Sequence, residues 1–394
     1  MLDFMDNVQN AFYEASHWNL DNSYGALNAT ARALLDFQTP KGLRLQISSL
    51  AAPNFATSYT LGNVGVVDGS VSYLYSSLPL HRKLKSSELD LHHVVRGYRH
   101  LQELRKPDED WWWEIWHSGT RIDRRDTLLY GRIFLPQSRL EALYLRRLTP
   151  TRQLRVSAVS DSALNNGGTI LTLLQNDTGK YSTEYLYSTD SALMGVRGLY
   201  NFGADPRVAP TNPVTTQQTS EIVHGRFSAG AELYYGLLNK SGGISTGLRF
   251  TTLPDHTGFP YTMTLTLNPL MGNLSSTYAV KAGHNLALCS RFDFNFYSYE
   301  SELQLGCELW RRRRSSTDVE WAVNKIRPDW KQATSTPDDD VSGILKARVD
   351  QDWRIGLLWE GRIKELLFTL GASLDLRKRE QVFRAVGIEL QYSS

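Results

Sequence analysis

The stretch NLALCSRFDFNF, residues 285–296, decides the fold. Leu286, Leu288, Phe292, Phe294 and Phe296 share one side of it, and Asn285, Arg291, Asp293 and Asn295 share the other. Successive side chains that point to opposite faces define a β-strand, here with one apolar and one polar face. The same alternation recurs toward both ends of the chain. Leu43, Leu45 and Ile47 oppose Arg44, Gln46 and Ser48. Trp353, Ile355, Leu357 and Trp359 oppose Asp352, Arg354 and Glu360, and Phe368, Leu370, Leu374 and Leu376 oppose Thr369, Ser373, Asp375 and Arg377.

Extended along the chain, this period predicts about nineteen strands joined mostly by tight turns. They begin near 32–38, 42–50, 57–66 and 69–76 and end with one long strand over 344–360, then 362–376 and 380–392. Turns such as Asn166-Gly167, Asp177-Thr178-Gly179 and Ser241-Gly242-Gly243 suit antiparallel hairpins. Three longer connections, about 77–126, 201–221 and 313–343, follow the fourth, tenth and sixteenth expected strands, which would place all three on one rim. The polar faces hold more Arg, Asp, Glu and Asn than a dry core accepts unpaired, whereas a wet barrel lumen accepts them. The reading is all-β: a transmembrane antiparallel barrel over 31–394, preceded by an amphipathic helix and linker over 1–30. A large soluble β-protein is the alternative. Leu2, Met5, Val8 and Phe12 lie on one helical face, so the helix either packs on a soluble domain or, in a barrel, sits inside the lumen.

The chain has 394 residues, 41% of them hydrophobic, with a net charge of +2. That charge gives no footing for a nucleic-acid partner. No run of apolar residues is long enough for a membrane-spanning helix, so any crossing must use a closed barrel. The N-terminal residues lack the cationic start and apolar core of a secretory signal, and Asp3, Asp6 and Glu14 spoil a mitochondrial presequence. Cys289 and Cys307 are too few for a disulfide framework or a zinc site, and free thiols are expected. Nucleophile elbows, zinc-protease helices, phosphate-binding loops and dinucleotide fingerprints do not occur, so neither an enzyme nor a cofactor is expected.

Four groups of residues are candidates for contact. Trp111, Trp112 and Trp113 lie in the first long connection and could anchor a partner or lipid headgroups, or simply pack the loop. Tyr73 and Tyr75 share a face of one strand, and Phe292, Phe294 and Phe296 form a second stripe. Both stripes suit lipid, and either suits docking of a protein within the membrane. The run Arg311–Arg314 reads as a solvated strand end, and His92-His93 as an isolated loop pair.

The chain resembles the fungal mitochondrial distribution and morphology protein 10 family, relatives of the voltage-dependent anion channel barrels. The resemblance rests on ARALLDF at 31–37, LRLQIS at 43–48, GSVSYLYS at 69–76 and LYGRIFLP at 129–136. It continues through LEALYLRRLTP at 140–150, LTLNPLMGNLSSTY at 265–278, FDFNFYSYESELQLGCELW at 292–310, LLWEGRIKELLF at 357–368 and GIELQYSS at 387–394. These stretches follow one another along nearly the whole chain. The resemblance implies a barrel of about nineteen strands in the mitochondrial outer membrane, at contacts with the endoplasmic reticulum. It implies work in two assemblies, the endoplasmic reticulum–mitochondria encounter structure and the sorting and assembly machinery, with their subunits and membrane lipids as partners and no cofactor. It also implies a sorting signal in the last strand, which Gly387, Leu390 and Tyr392 fit, while Ala385 stands where a polar residue is expected.

Overall fold

The computed structural model describes all residues except 65, 81–83, 103, 105–113, 119, 124–125, 165, 204–224, 254–255, 257, 284, 313–340 and 379–381. Nineteen strands form one closed sheet. They are β1 (Gly42–Ala52), β2 (Phe55–Val64), β3 (Val66–Ser76), β4 (Thr127–Leu135), β5 (Arg139–Thr149), β6 (Arg152–Ser160) and β7 (Gly168–Asp177). Next come β8 (Tyr181–Ser188), β9 (Leu193–Asn201), β10 (Gly225–Gly236), β11 (Ser241–Thr252), β12 (Tyr261–Asn268) and β13 (Asn273–Lys281). The ring ends with β14 (Leu286–Asn295), β15 (Ser301–Arg312), β16 (Val341–Asp350), β17 (Arg354–Ile363), β18 (Leu366–Asp375) and β19 (Phe383–Ser393). A small hairpin, Glu114–His117 with Thr120–Asp123, stands apart in the β3–β4 connection.

Neighbours along the chain pair antiparallel throughout. With an odd number of strands the first and last must run the same way, so β1 and β19 close the ring in parallel, from Gly42 opposite Gly387 to Ser48 opposite Ser393. The expected barrel is therefore present with one parallel seam. Every strand of the ring has two neighbours, which leaves the ring no edge to satisfy in lipid. Among the described residues no helix is long and apolar enough to cross a membrane.

Two expected strands are corrected. Residues 32–38 do not form a strand: Ala29–Leu35 is a helix, α2. Ala31, Leu34 and Leu35 are buried at helical spacing against the lumen wall, and that packing outweighs the weak alternation. The single strand expected over 344–360 is two, β16 and β17, joined by a turn at 351–353 in which Trp353 has φ 57°. One false strand and one missed turn cancel, so the expected count matched. The long connections follow β3, β9 and β15, one strand earlier than expected, and because all three numbers are odd these strands end on one rim. We call it the long-loop rim and its opposite the short-turn rim.

The lumen is lined by the N-terminal segment. Helix α1 (Phe4–Ala15) buries Phe4, Met5, Val8 and Phe12 against Ala56, Leu74, Leu128, Leu143 and Leu145 of β2–β5. Val8 and Phe12 are fully enclosed, and each such side chain contributes about 1.5–3 kcal/mol. The chain then passes β9, where Tyr24 and Leu27 pack on Leu199. Next, α2 lies on β13 and β14 through Ala279, Ala287 and Cys289. Of the two placements left open for the N-terminal helix, the structure has the lumen.

Candidate membrane and partner surfaces

The β3–β4 connection does not leave the barrel at once. In its first part, the described residues between 78 and 102 fold back over α1 as a strap whose Leu80, Leu84, Leu89, Leu91, Val94 and Val95 join the same cluster. The Leu2 N–H donates to the Val94 carbonyl at 2.8 Å, and Arg96 pairs with Asp6 at 3.0 Å. Farther round, Arg362 donates to the Leu89 carbonyl at 2.9 Å and Arg226 to the Gln102 carbonyl at 3.2 Å. Arg99 on the strap pairs with Asp21 of the N-terminal segment.

The charged lumen face anticipated for water is in large part paired with protein. Glu308, Lys346 and Glu360, on β15, β16 and β17, are 0%, 2% and 1% exposed. Lys346 Nζ lies 3.9 Å from Glu308 and 3.8 Å from Glu360, and also donates to the Arg96 carbonyl on the strap. Glu308 accepts from the Tyr98 N–H at 3.4 Å, and the N-terminal ammonium pairs with Glu360. Elsewhere Arg291 forms a bidentate pair with Asp36 at 2.9 and 2.8 Å, and Arg348 donates to the Leu35 carbonyl at the end of α2 at 2.8 Å. Buried charges are tolerable only when paired in this way. On β7, toward the short-turn rim, Leu171 on the lumen face remains 36% exposed.

The outer face carries the apolar half of each strand. Tyr73 and Tyr75 are exposed there on β3, and Tyr73 stacks on Phe55 with ring centroids 6.1 Å apart. Phe292 and Phe296 are exposed, Phe294 is half-buried, and Phe294 and Phe296 meet edge to face at 5.3 Å. The two stripes lie on different walls, β3 and β14, so the structure does not bring them together. Trp111, Trp112 and Trp113 lie outside the described residues, as do Arg313 and Arg314. His92 stacks on Trp310 at 4.2 Å, while His93 is exposed and lies 3.8 Å from the Asp90 carboxylate. Cys289 and Cys307 are free thiols. Cys289 stands opposite Gly306 and Cys307 opposite Leu288, which sets the two thiols on opposite faces of the sheet.

Gly387, Leu390 and Tyr392 all lie on the closing strand β19. Leu390 and Tyr392 stand opposite Leu45 and Ile47 across the seam. The glycine has a steric reason to be there: a Cβ on Gly387 would sit 2.5 Å from the Pro40 carbonyl oxygen, where the chain turns into β1. Sequence reading missed the strap, because its apolar residues follow neither strand nor helix spacing. The signal that could have exposed it is the run of leucines and valines over 78–95 inside a supposed loop.

A family model described as "Mitochondrial distribution and morphology protein 10" matches residues 1–340 and 323–394. Proteins of that name from Phaeosphaeria nodorum and Sclerotinia sclerotiorum are 84% and 63% identical over 394 and 404 residues, each match covering 100% of both chains. One from Podospora anserina is 45% identical over 450 residues, also with 100% of both chains covered.

Proposed function

The chain belongs to the mitochondrial distribution and morphology protein 10 family, and from that premise we propose that it is a non-enzymatic barrel subunit of two membrane assemblies. One tethers mitochondria to the endoplasmic reticulum and supports lipid exchange and organelle shape. The other is the sorting and assembly machinery, which inserts β-barrels and helps complete the translocase. A closed barrel in a mitochondrial family fits the mitochondrial outer membrane; residence at contact sites is part of the proposal.

The observation that carries this reading is the lined lumen. A barrel whose interior is occupied by its own N-terminal segment and strap has its outer wall and long-loop rim left for contacts. Tyr73 and Tyr75 on β3 and Phe292 and Phe294 on β14 are far enough apart around the ring to serve separate partner sets. Alanine at each pair, followed by native electrophoresis of both assemblies, tests this. Each double variant is expected to lose one assembly selectively, and equal retention of both would remove the assignment. A second reading, a metabolite or ion channel, draws on the open wall around Leu171.

A further inference from the structure

The outer apolar belt is not equally tall around the ring. On β14 the outward apolar residues Leu286, Leu288, Phe292, Phe294 and Phe296, with Ser290 among them, span about 33 Å along the strand. At the usual barrel tilt this is about 25 Å of height, the full apolar band of a membrane barrel. On β6 the outward apolar residues are only Leu154, Val156 and Ala158, about 13 Å along the strand and about 10 Å of height. On β7 they are Ile170 and Leu174, with Thr172 between them. The short belt is bounded toward the long-loop rim by outward Arg152 and Asn176, which stand opposite each other, and toward the short-turn rim by Ser160 and Gly168.

Cations cluster along the upper border of this narrow belt. Arg146 on β5 shares the outer face with Leu154, its cross-strand partner. Its Nη1 reaches the Tyr144 hydroxyl at 3.4 Å, while its Nε has no hydrogen-bond partner. Lys180 in the following turn lies 5.8 Å from the centre of the Tyr200 ring. The carboxylates on the strands of this sector, Glu141, Asp177 and Glu184, belong to the opposite, lumen-facing set of positions. An outer surface with a short apolar band, and at its border cations that have no carboxylate partner among the described residues, is complementary to phosphate groups drawn below their usual level.

We propose that the outer wall of β5–β8 is a phospholipid-headgroup site, at which Arg146, Arg152 and Lys180 hold the phosphates of anionic lipids and the bilayer thins against β6 and β7. A bilayer meets a short apolar stretch by thinning locally, and anionic headgroups answer basic side chains at its surface. This site does not depend on the tethering role.

The test uses the full chain with Cys289 and Cys307 replaced by serine, in vesicles of phosphatidylcholine and phosphatidylinositol. Nitroxide labels are attached through Val156→Cys on β6 and Ser290→Cys on β14, both near mid-strand. Accessibility to oxygen and to a polar nickel chelate is then compared. The Val156 label is expected to be severalfold more accessible to the chelate than the Ser290 label. The R146Q/R152Q/K180Q variant, with circular dichroism unchanged, is expected to retain severalfold less phosphatidylinositol after mild extraction. Equal chelate accessibility at the two labels, or unchanged lipid retention, overturns the inference. So does a Val156 label shielded from both reagents, which would place a second copy of the chain against this wall.

Discussion

The wall from β14 to β17 and the wall from β6 to β8 share one binary pattern and end in different physical states. The first is covered inside by α2 and the strap, with Lys346 paired to Glu308 and Glu360 and Arg291 to Asp36, and on β14 and β17 presents a tall apolar face outside. The second is partly bare inside, at Leu171, and short of apolar residues outside. The difference teaches that alternation fixes which way a side chain points but not what it meets. What it meets is decided by the segments that line the lumen and by where polar residues interrupt the outer stripe.

The contrast can be broken or sharpened by substitution, with unfolding by urea in micelles followed through tryptophan fluorescence. The largest effect is expected from Lys346→Ala, which leaves buried Glu308 without its cation and Glu360 with the N-terminal ammonium alone, and should cost about 3–5 kcal/mol. A loss below about 1 kcal/mol would mean water reaches that wall. Leu34→Ala removes a side chain that is 0% exposed and should cost about 3 kcal/mol. Gly387→Ala puts a methyl group against the Pro40 carbonyl and should cost about 1–3 kcal/mol by overpacking the seam. The smallest effect belongs to Leu171→Ala, which should stay under about 1 kcal/mol because its site is already wet. If the Leu34 and Leu171 variants were equally destabilised, the two walls would not differ as described.

Much of this architecture was legible in the residues. The stripes at 285–296 and 43–47 gave correct faces, and Leu2, Met5, Val8 and Phe12 marked the buried side of α1. What escaped reading has physical reasons. The turn at 351–353 contains no glycine or proline, and Trp353 takes its positive φ without a local signal. In ARALLDF, helical spacing of Ala31, Leu34 and Leu35 competes with alternation, and only the wall of β13–β14 decides between them. The parallel seam depends on the parity of the strand count, to which one misplaced strand is fatal unless a second error offsets it. The surface candidates fared unevenly: the positions of both aromatic stripes follow from strand period, whereas the strap over the lumen depends on contacts between residues 78–102 and the N-terminus, far apart in sequence.

At the centre stands a ring whose interior is occupied by the chain's own N-terminal segment and strap, on which the proposed role of scaffold, as against pore, rests. Planar-bilayer recording of the purified full chain tests it most directly. The account predicts no reproducible open level under applied voltage; a stable porin-sized conductance from the unmodified chain would contradict it.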